Sequence, residues 1–169
     1  NQAAPILTMK NLNGGAAANV AMIGATLGAK TSLVSAVGED FIDSRYQKAM
    51  IEAGVNIDSM IYDMESNTPT AFVMTNKHGD QISYFHWGAG KAFHDSEVPR
   101  DTIKDAKAVH LATGDPHYNC KAAIVAKEEE RLVSFDPGQD LGMYSPKKLV
   151  EVIKNCNILF GNHHEIKRI

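Results

Sequence analysis

The chain has 169 residues, of which 44% are hydrophobic and 22% charged, a composition that excludes a disordered protein and fits one globular domain or part of a larger one. Its net charge of −3 argues against a broad nucleic-acid-binding surface, and no apolar run approaches the roughly 18 residues of a membrane span. Two cysteines, Cys120 and Cys156, are too few for a disulfide framework or a cysteine-rich zinc site, so we expect a protein of the reducing cytoplasm.

Strands and helices alternate in the first third of the chain. Residues 5–9 read as a short strand that leads into a glycine pair, and residues 16–27 have the apolar spacing of a helix. A buried strand at 31–38 and a helix at 40–53 follow, and the helix ends before Gly54. This alternation is typical of a parallel sheet with right-handed crossovers.

The middle of the chain has a different pattern. Residues 57–63, 70–76 and 81–87 are strand-like, and the last two flank the tetrapeptide KHGD at 77–80, which predicts a hairpin. This region therefore reads as an antiparallel excursion from the alternating body. The alternation then resumes, with strands at 108–113, 131–136 and 157–161 and helices at 116–130 and 146–154.

The glycine pair Gly14-Gly15 opens the first predicted helix, in NGGAAANVA (13–21). This stretch lacks the spacing of a dinucleotide fingerprint and the lysine and hydroxyl of a Walker loop, which excludes both phosphate motifs. The glycines would let a flat or ring-shaped ligand approach the backbone, and Asn19 offers a donor and an acceptor on the same side of the helix, suited to a vicinal diol. The alternative is a plain turn in which Asn19 caps or packs locally.

Polar residues follow several predicted strands. The ends of three predicted strands carry polar residues and glycine in place of apolar residues, in ATGDP (112–116), DPGQDL (136–141) and GNHHE (161–165). Asp40 follows the strand at 31–38, where it is a natural helix N-cap. Ligands of open α/β sheets bind at the carboxyl ends of the strands. Several polar strand ends in register therefore predict a polar crevice.

In this order, GGAAANVA (14–21), VSAVGED (34–40) and N-x-x-E (162–165) resemble the ribokinase-like (PfkB) carbohydrate kinase family. NTPTAFVMTN, ISYFHWGAGK, HLATGDP and VSFDPGQDL are most similar to its archaeal nucleoside kinases of broad base specificity. The resemblance implies an α/β fold, a three-layer α/β/α, Rossmann-like body with a small β-sheet lid. One domain, incomplete at both ends, would fill residues 1–169, with lid strands within 4–12 and 57–87 and the body at 13–56 and 88–169.

The same resemblance implies an enzyme that transfers the γ-phosphoryl group of ATP, with Mg²⁺, to the 5′-hydroxyl of a ribonucleoside. Two alternatives remain open, a sugar kinase of the same family that acts on ribose or a hexose, and a non-enzymatic module that binds a nucleoside or a sugar. Lids of the family often pair, so a homodimer through the lid is expected, because pairing also covers open strand edges. Nucleic acid and membrane are not expected partners.

On the substrate side, the resemblance assigns Gly14, Gly15 and Asn19 to the ribose. Phe72 and Phe85, with Met74 nearby, would flank the base, since an apolar clamp tolerates many bases. Their alternative role is lid core, which is the preferred interpretation for Met74.

On the phosphate side, the resemblance assigns Asn162 and Glu165 to the shell of Mg²⁺ and phosphate, with Glu165 reaching the metal through water. The alternative for Glu165 is a first-turn helix carboxylate. Asp136 and Gln139 lie where the family approaches substrate or phosphates. His163 and His164 are adjacent on a predicted helix, so their side chains should point apart and be solvated rather than form a metal pair.

Two elements of the family are missing from the sequence. One is the first-strand aspartate that holds the sugar, and the other is the glycine-rich G-A-G-D helix start, whose aspartate is the general base. Phosphoryl transfer depends on positioning and charge stabilisation around that element. We therefore expect these 169 residues to be part of a kinase and to be inactive alone.

Overall fold

The computed structural model describes residues 5–169, which form a mixed α/β fold. In the first third, two short parallel strand pairs lie beside two helices. The pairs are β1 with β3 and β2 with β4. The elements are α1 (Ala16–Thr26), β1 (Thr31–Ser32), β2 (Ala36–Val37), α2 (Arg45–Glu52), β3 (Val55–Asn56) and β4 (Ile61–Tyr62).

A two-stranded antiparallel hairpin follows, made of β5 (Thr70–Thr75) and β6 (Gln81–His86). The Asn76 side chain closes its turn, because Oδ1 accepts from the amide nitrogens of His78 and Asp80 at 2.8 and 3.0 Å. All residues of both strands are exposed. The predicted hairpin at 70–87 is thus present.

The last part of the chain forms a parallel sheet in the order β7-β8-β9. Within residues 5–169, short 3-10 helices also lie at Glu39–Phe41, Gly88–Phe93 and Gly138–Met143. The elements are α3 (Arg100–Asp105), β7 (Ala108–Leu111), α4 (Pro116–Glu128), β8 (Leu132–Phe135), α5 (Pro146–Asn155), β9 (Ile158–Leu159) and α6 (His163–Ile166).

Helix starts follow local sequence signals. Asp115 and Ser145 cap α4 and α5 by accepting from backbone amides three residues on, at 2.7 and 3.4 Å, and a proline occupies the first turn of each helix. Ser44 caps α2 in the same way at 3.0 Å. The prediction that Asp40 caps this helix is wrong, because the Asp40 carboxylate bonds to Thr68 instead.

Two apolar clusters hold the elements together. One packs α1 and α2 on the first strands through Ala18, Leu33, Phe41, Met50 and Val55. The other surrounds β8 between α4 and α5, and five of its residues are fully buried: Ala123, Ala126, Val133, Phe135 and Val152. No helix among residues 5–169 has the length and apolar character needed to cross a membrane.

Two further lid strands that the sequence predicts, within 4–12 and at 57–63, do not pair with the hairpin. Residues 5–12 form no strand, because their backbone has no neighbouring strand to bond to. Leu7 and Met9 in this segment are 91% and 88% exposed. Residue 4 of the predicted segment 4–12 lies outside the described residues. The strand at 57–63 is reduced to β4, which pairs in parallel with β2 and so belongs to the body. The predicted strand at 31–38 is split into β1 and β2, which pair with different partners.

Candidate functional site

The glycine pair forms an open entrance to α1. Gly15 has φ +103°, a conformation that favours glycine, and no side chain caps the helix at this end. A Cβ at Gly14 would meet no atom within 4 Å, and the Tyr46 hydroxyl donates a hydrogen bond to the Gly14 carbonyl. The backbone of the pair is therefore accessible to a ligand.

Asn19 lies exposed in the first turns of α1, where its backbone amide donates to the Gly15 carbonyl at 2.8 Å. Its side-chain amide makes no hydrogen bond to any residue within 5–169. Local capping by Asn19, the plain alternative, is not seen. Binding of sugar hydroxyls by this amide stays a prediction.

The hairpin register separates Phe72 from Phe85. Directly opposed residues share a face, and Phe72 opposes Tyr84 whereas Phe85 opposes Ala71. The two phenylalanines, 59% and 49% exposed, thus lie on opposite faces. Met74 shares the face of Phe72, so a single hairpin presents Phe72 and Met74 on one face and Phe85 on the other. Contact of these side chains with a base stays a prediction.

A cleft of about 460 Å³ lies at the root of the hairpin. Phe85 and Trp87 supply aromatic surface to it, and Lys91 supplies a positive charge. An adjoining cleft of about 380 Å³ contains Glu39 and Asp40. Both clefts share the segment 65–67, of which the sequence analysis quoted only Asn67, as the first residue of NTPTAFVMTN.

The backbone at Ser66 and Asn67 lies in close contact with two glycines. A Cβ at Gly38 would lie 2.0 Å from the Ser66 carbonyl oxygen, and a Cβ at Gly88 would lie 2.0 Å from the Asn67 carbonyl oxygen. That carbonyl accepts from the Ala89 amide at 2.9 Å. Glycine at 38 and 88 thus lets the chain before β5 lie between the ends of β2 and β6.

Asp40 fastens the same segment. Its Oδ1 accepts from the Thr68 amide at 2.7 Å and from the Thr68 hydroxyl at 2.8 Å, and Thr68 Oγ1 also accepts from the Gly38 amide at 3.1 Å. These bonds join the V-G-E-D segment to the residues that lead into β5. In this structure Asp40 therefore holds the root of the hairpin.

The ends of β7 and β8 meet, as a polar crevice requires. Asp136 Oδ1 accepts from the Gly138 amide at 3.0 Å, and a Cβ at Gly138 would lie 2.8 Å from the Thr113 methyl carbon. Burial lowers the pKa of His110, and the charge of Asp136 opposes that shift. Gln139 lies in the 3-10 segment Gly138–Met143 that follows β8, and ligand binding by Asp136 and Gln139 stays a prediction.

Asp140 is a further residue of this crevice that the sequence did not reveal. It is 8% exposed, and burial raises the pKa of its carboxyl, while the Gly114 backbone opposes the shift. The only signal in the sequence was weak, since Asp140 is the second of the two acids in DPGQDL.

Asn162 and Glu165 form a capping box at the start of α6. Asn162 Oδ1 accepts from the amides of His164 and Glu165 at 2.8 and 3.0 Å, and Glu165 Oε2 accepts from the Asn162 amide at 2.8 Å. This is the alternative, first-turn role of Glu165. One carboxylate with an oxygen left over fits Mg²⁺ only through water, since Mg²⁺ keeps several of its waters.

His163 and His164 are exposed, as expected, but their ring centroids lie 3.7 Å apart. The expectation that they point apart is wrong, because the geometry of this four-residue helix lets the rings meet. Residues 5–169 contain no cluster of three or more His, Cys, Asp or Glu side chains arranged for a metal ion.

The architecture is that of ribokinase-like proteins, an α/β body that carries a protruding hairpin. Residues 3–169 match the pfkB family of carbohydrate kinases, and the chain belongs to that family, which confirms the resemblance. It is 55% identical to a nucleoside kinase of Methanothermobacter thermautotrophicus over 169 residues, all of this chain and 55% of the relative. The chain spans about half the length of the curated relatives it matches.

Solved structures agree on the fold. The Methanocaldococcus jannaschii nucleoside kinase superposes with a TM-score of 0.87 at 43% identity, over 92% of this chain and 50% of that one. The Burkholderia thailandensis nucleoside kinase in complex with inosine superposes with a TM-score of 0.86 over 99% of this chain and 54% of that one. At 22% identity this second likeness concerns the fold alone.

Proposed function

We propose that the full-length protein is an ATP-dependent nucleoside kinase that phosphorylates the 5′-hydroxyl of ribonucleosides. The observation that carries the proposal is 55% identity over the whole chain with a nucleoside kinase about twice as long. The open glycine entrance and the unengaged Asn19 amide support a sugar-binding role for Gly14, Gly15 and Asn19. Cys120 and Cys156 form no disulfide, which supports the proposal of a cytoplasmic enzyme.

The base would pack on one hairpin face only. Phe85 is the better candidate, because it lines the cleft at the hairpin root together with Trp87. The opposite face, formed by Phe72, Met74, Ile82 and Tyr84, is apolar and exposed. We assign that face to a homodimer contact, and we expect sedimentation of the full-length protein to show a dimer.

On the phosphate side, Mg²⁺ would neutralise charge on the ATP phosphates. Glu165 would contribute through water, with its carboxylate held in place by the Asn162 amide. Asp136 and Gln139 would line the approach to substrate from the end of β8. The family's aspartate base has no counterpart in these residues, so we expect no phosphoryl transfer from the 169 residues alone.

A thermal-shift comparison of nucleosides with free sugars tests the proposal. A ligand present at 100 times its Kd stabilises the native state by about 2.7 kcal/mol, a shift of several degrees in Tm. We expect ribonucleosides to raise the Tm of the full-length protein and free hexoses or ribose to leave it unchanged. A shift with hexoses or ribose alone would contradict the proposal and favour the sugar-binding alternatives.

Asn19→Ala is expected to weaken nucleoside binding by about 1–3 kcal/mol, the usual loss when a hydrogen-bonding partner of a buried polar group is removed. The measurement is isothermal titration of the full-length variant with a ribonucleoside. Val20→Ala is the matched control, since Val20 is the next residue of α1, is 48% exposed and lies on another side of the helix. Equal affinity of Asn19→Ala and wild type would remove Asn19 from the site.

A further inference from the structure

The glycine entrance has a single side-chain anchor within the described residues. In the stretch 5–15, the bond from the Tyr46 hydroxyl to the Gly14 carbonyl is the one hydrogen bond that a side chain makes to the backbone. Residues 5–12 lie exposed without a neighbouring strand, and no side chain caps α1 at Gly15. The position of the Gly14 carbonyl therefore depends on Tyr46.

Tyr46 itself is held firmly. It lies in the first turn of α2, which Ser44 caps, and Gln47 Oε1 accepts from the Asp43 amide at 2.8 Å. The Tyr46 ring meets the buried Phe41 ring edge-on, with centroids 6.1 Å apart at 79°. Burial raises the pKa of Tyr46, so the hydroxyl stays protonated and donates throughout the neutral range.

We infer that Tyr46 is a positioning residue that sets nucleoside affinity by holding the Gly14-Gly15 turn in its ligand-ready conformation. The inference rests on the proposed function, in which this turn receives the ribose. Gly15 at φ +103° is a conformation that a glycine can leave easily. Without the anchor the turn would sample other conformations, and binding would have to order it, which weakens affinity.

Tyr46→Phe keeps the ring contact with Phe41 and removes only the hydroxyl. In the full-length protein we expect the KM and Kd for a ribonucleoside such as inosine to rise about threefold to tenfold, which corresponds to about 0.6–1.4 kcal/mol. The KM for ATP and the kcat should change less than about twofold, because the lost bond orders the nucleoside side alone. Tyr62→Phe is the matched control, since Tyr62 is 43% exposed and its hydroxyl bonds to no residue within 5–169.

Hydrogen exchange of the ligand-free protein gives a second measurement. The Asn19 amide, which donates to the Gly15 carbonyl, should exchange faster in Tyr46→Phe than in wild type, with Tyr62→Phe unchanged. Wild-type nucleoside affinity in Tyr46→Phe, or an equal rise in the KM for ATP, overturns the inference and leaves the proposed function standing. If the wild-type protein binds no nucleoside, both the proposed function and the inference are overturned. Faster exchange in Tyr46→Phe would in that case show only that Tyr46 anchors the turn.

Discussion

Gly38→Ala is expected to lower the free energy of unfolding of the full-length protein by about 3 kcal/mol, at the upper end for overpacking of a closed site. The backbone of Gly38 is extended, so alanine could adopt it, and space alone is the obstacle. The new Cβ would lie 2.0 Å from the Ser66 carbonyl oxygen and 2.8 Å from the Asn67 Cα. These backbone atoms cannot turn aside as a side chain would, because Asp40 and Ala89 hold the same segment by hydrogen bonds.

The comparison for Gly38→Ala is Gly90→Ala, measured by the same urea denaturation. A Cβ at Gly90 would meet Pro69 at 3.4 Å and Trp87 at 3.7 Å, which are ordinary contacts, so we expect a change below about 1 kcal/mol. Gly88→Ala should be severe as well, and its effect should not add to that of Gly38→Ala, because both clash with the segment around Asn67. If Gly38→Ala lowers the free energy of unfolding no more than Gly90→Ala does, the backbone at Ser66 and Asn67 must be able to move away from the new Cβ.

The longer helices were predictable because their signals are local. Asp115 and Ser145 stand before prolines, and both cap the helices predicted at 116–130 and 146–154. The same logic failed at Asp40, where a residue 28 positions away, Thr68, takes the carboxylate and leaves the cap to Ser44. Asp40 and Ser44 both suit the N-cap position, so only the tertiary structure decides which of them caps the helix.

The role of Gly38 could not be predicted either, because its neighbours Ser66 and Asn67 come from a distant loop. The faces of the hairpin depended on a shift of one residue. The predicted turn at 77–80 pairs residue 76 with residue 81, which would place Phe72 opposite Phe85 on one face. In the structure Thr75 opposes Gln81, so the register moves by one residue and the two phenylalanines lie on different faces.

The candidate site was predictable in part because its residues follow strand ends. The ends of β7 and β8 do meet, at Thr113 and Gly138. The order of polar residues at the strand ends could not show which of these side chains already make hydrogen bonds within the protein. Asn162 and Glu165, for example, bond to each other's backbone in a capping box. Tyr46 gave no signal at all, because a tyrosine in an amphipathic helix reads as ordinary packing.

Phe135→Ala is expected to cost about 3–5 kcal/mol of the free energy of unfolding, the range for a large aromatic side chain removed from a core. Phe135 is fully buried in β8, the middle strand of the parallel sheet, and its ring centroid lies 5.5 Å from that of Tyr144. The helices α4 and α5 pack against the same strand, so the cavity cannot close without moving a helix. Urea denaturation of the full-length protein measures the loss.

Leu132→Ala separates the effect of burial from that of strand membership. Leu132 belongs to the same strand but is 47% exposed, so its replacement should cost less than about 1 kcal/mol. Because β8 carries Asp136 at its end, weakening of the strand should also loosen the loop at 136–141, and proteolysis there should accelerate in Phe135→Ala alone. Equal destabilisation by the two substitutions would mean that the core does not centre on β8.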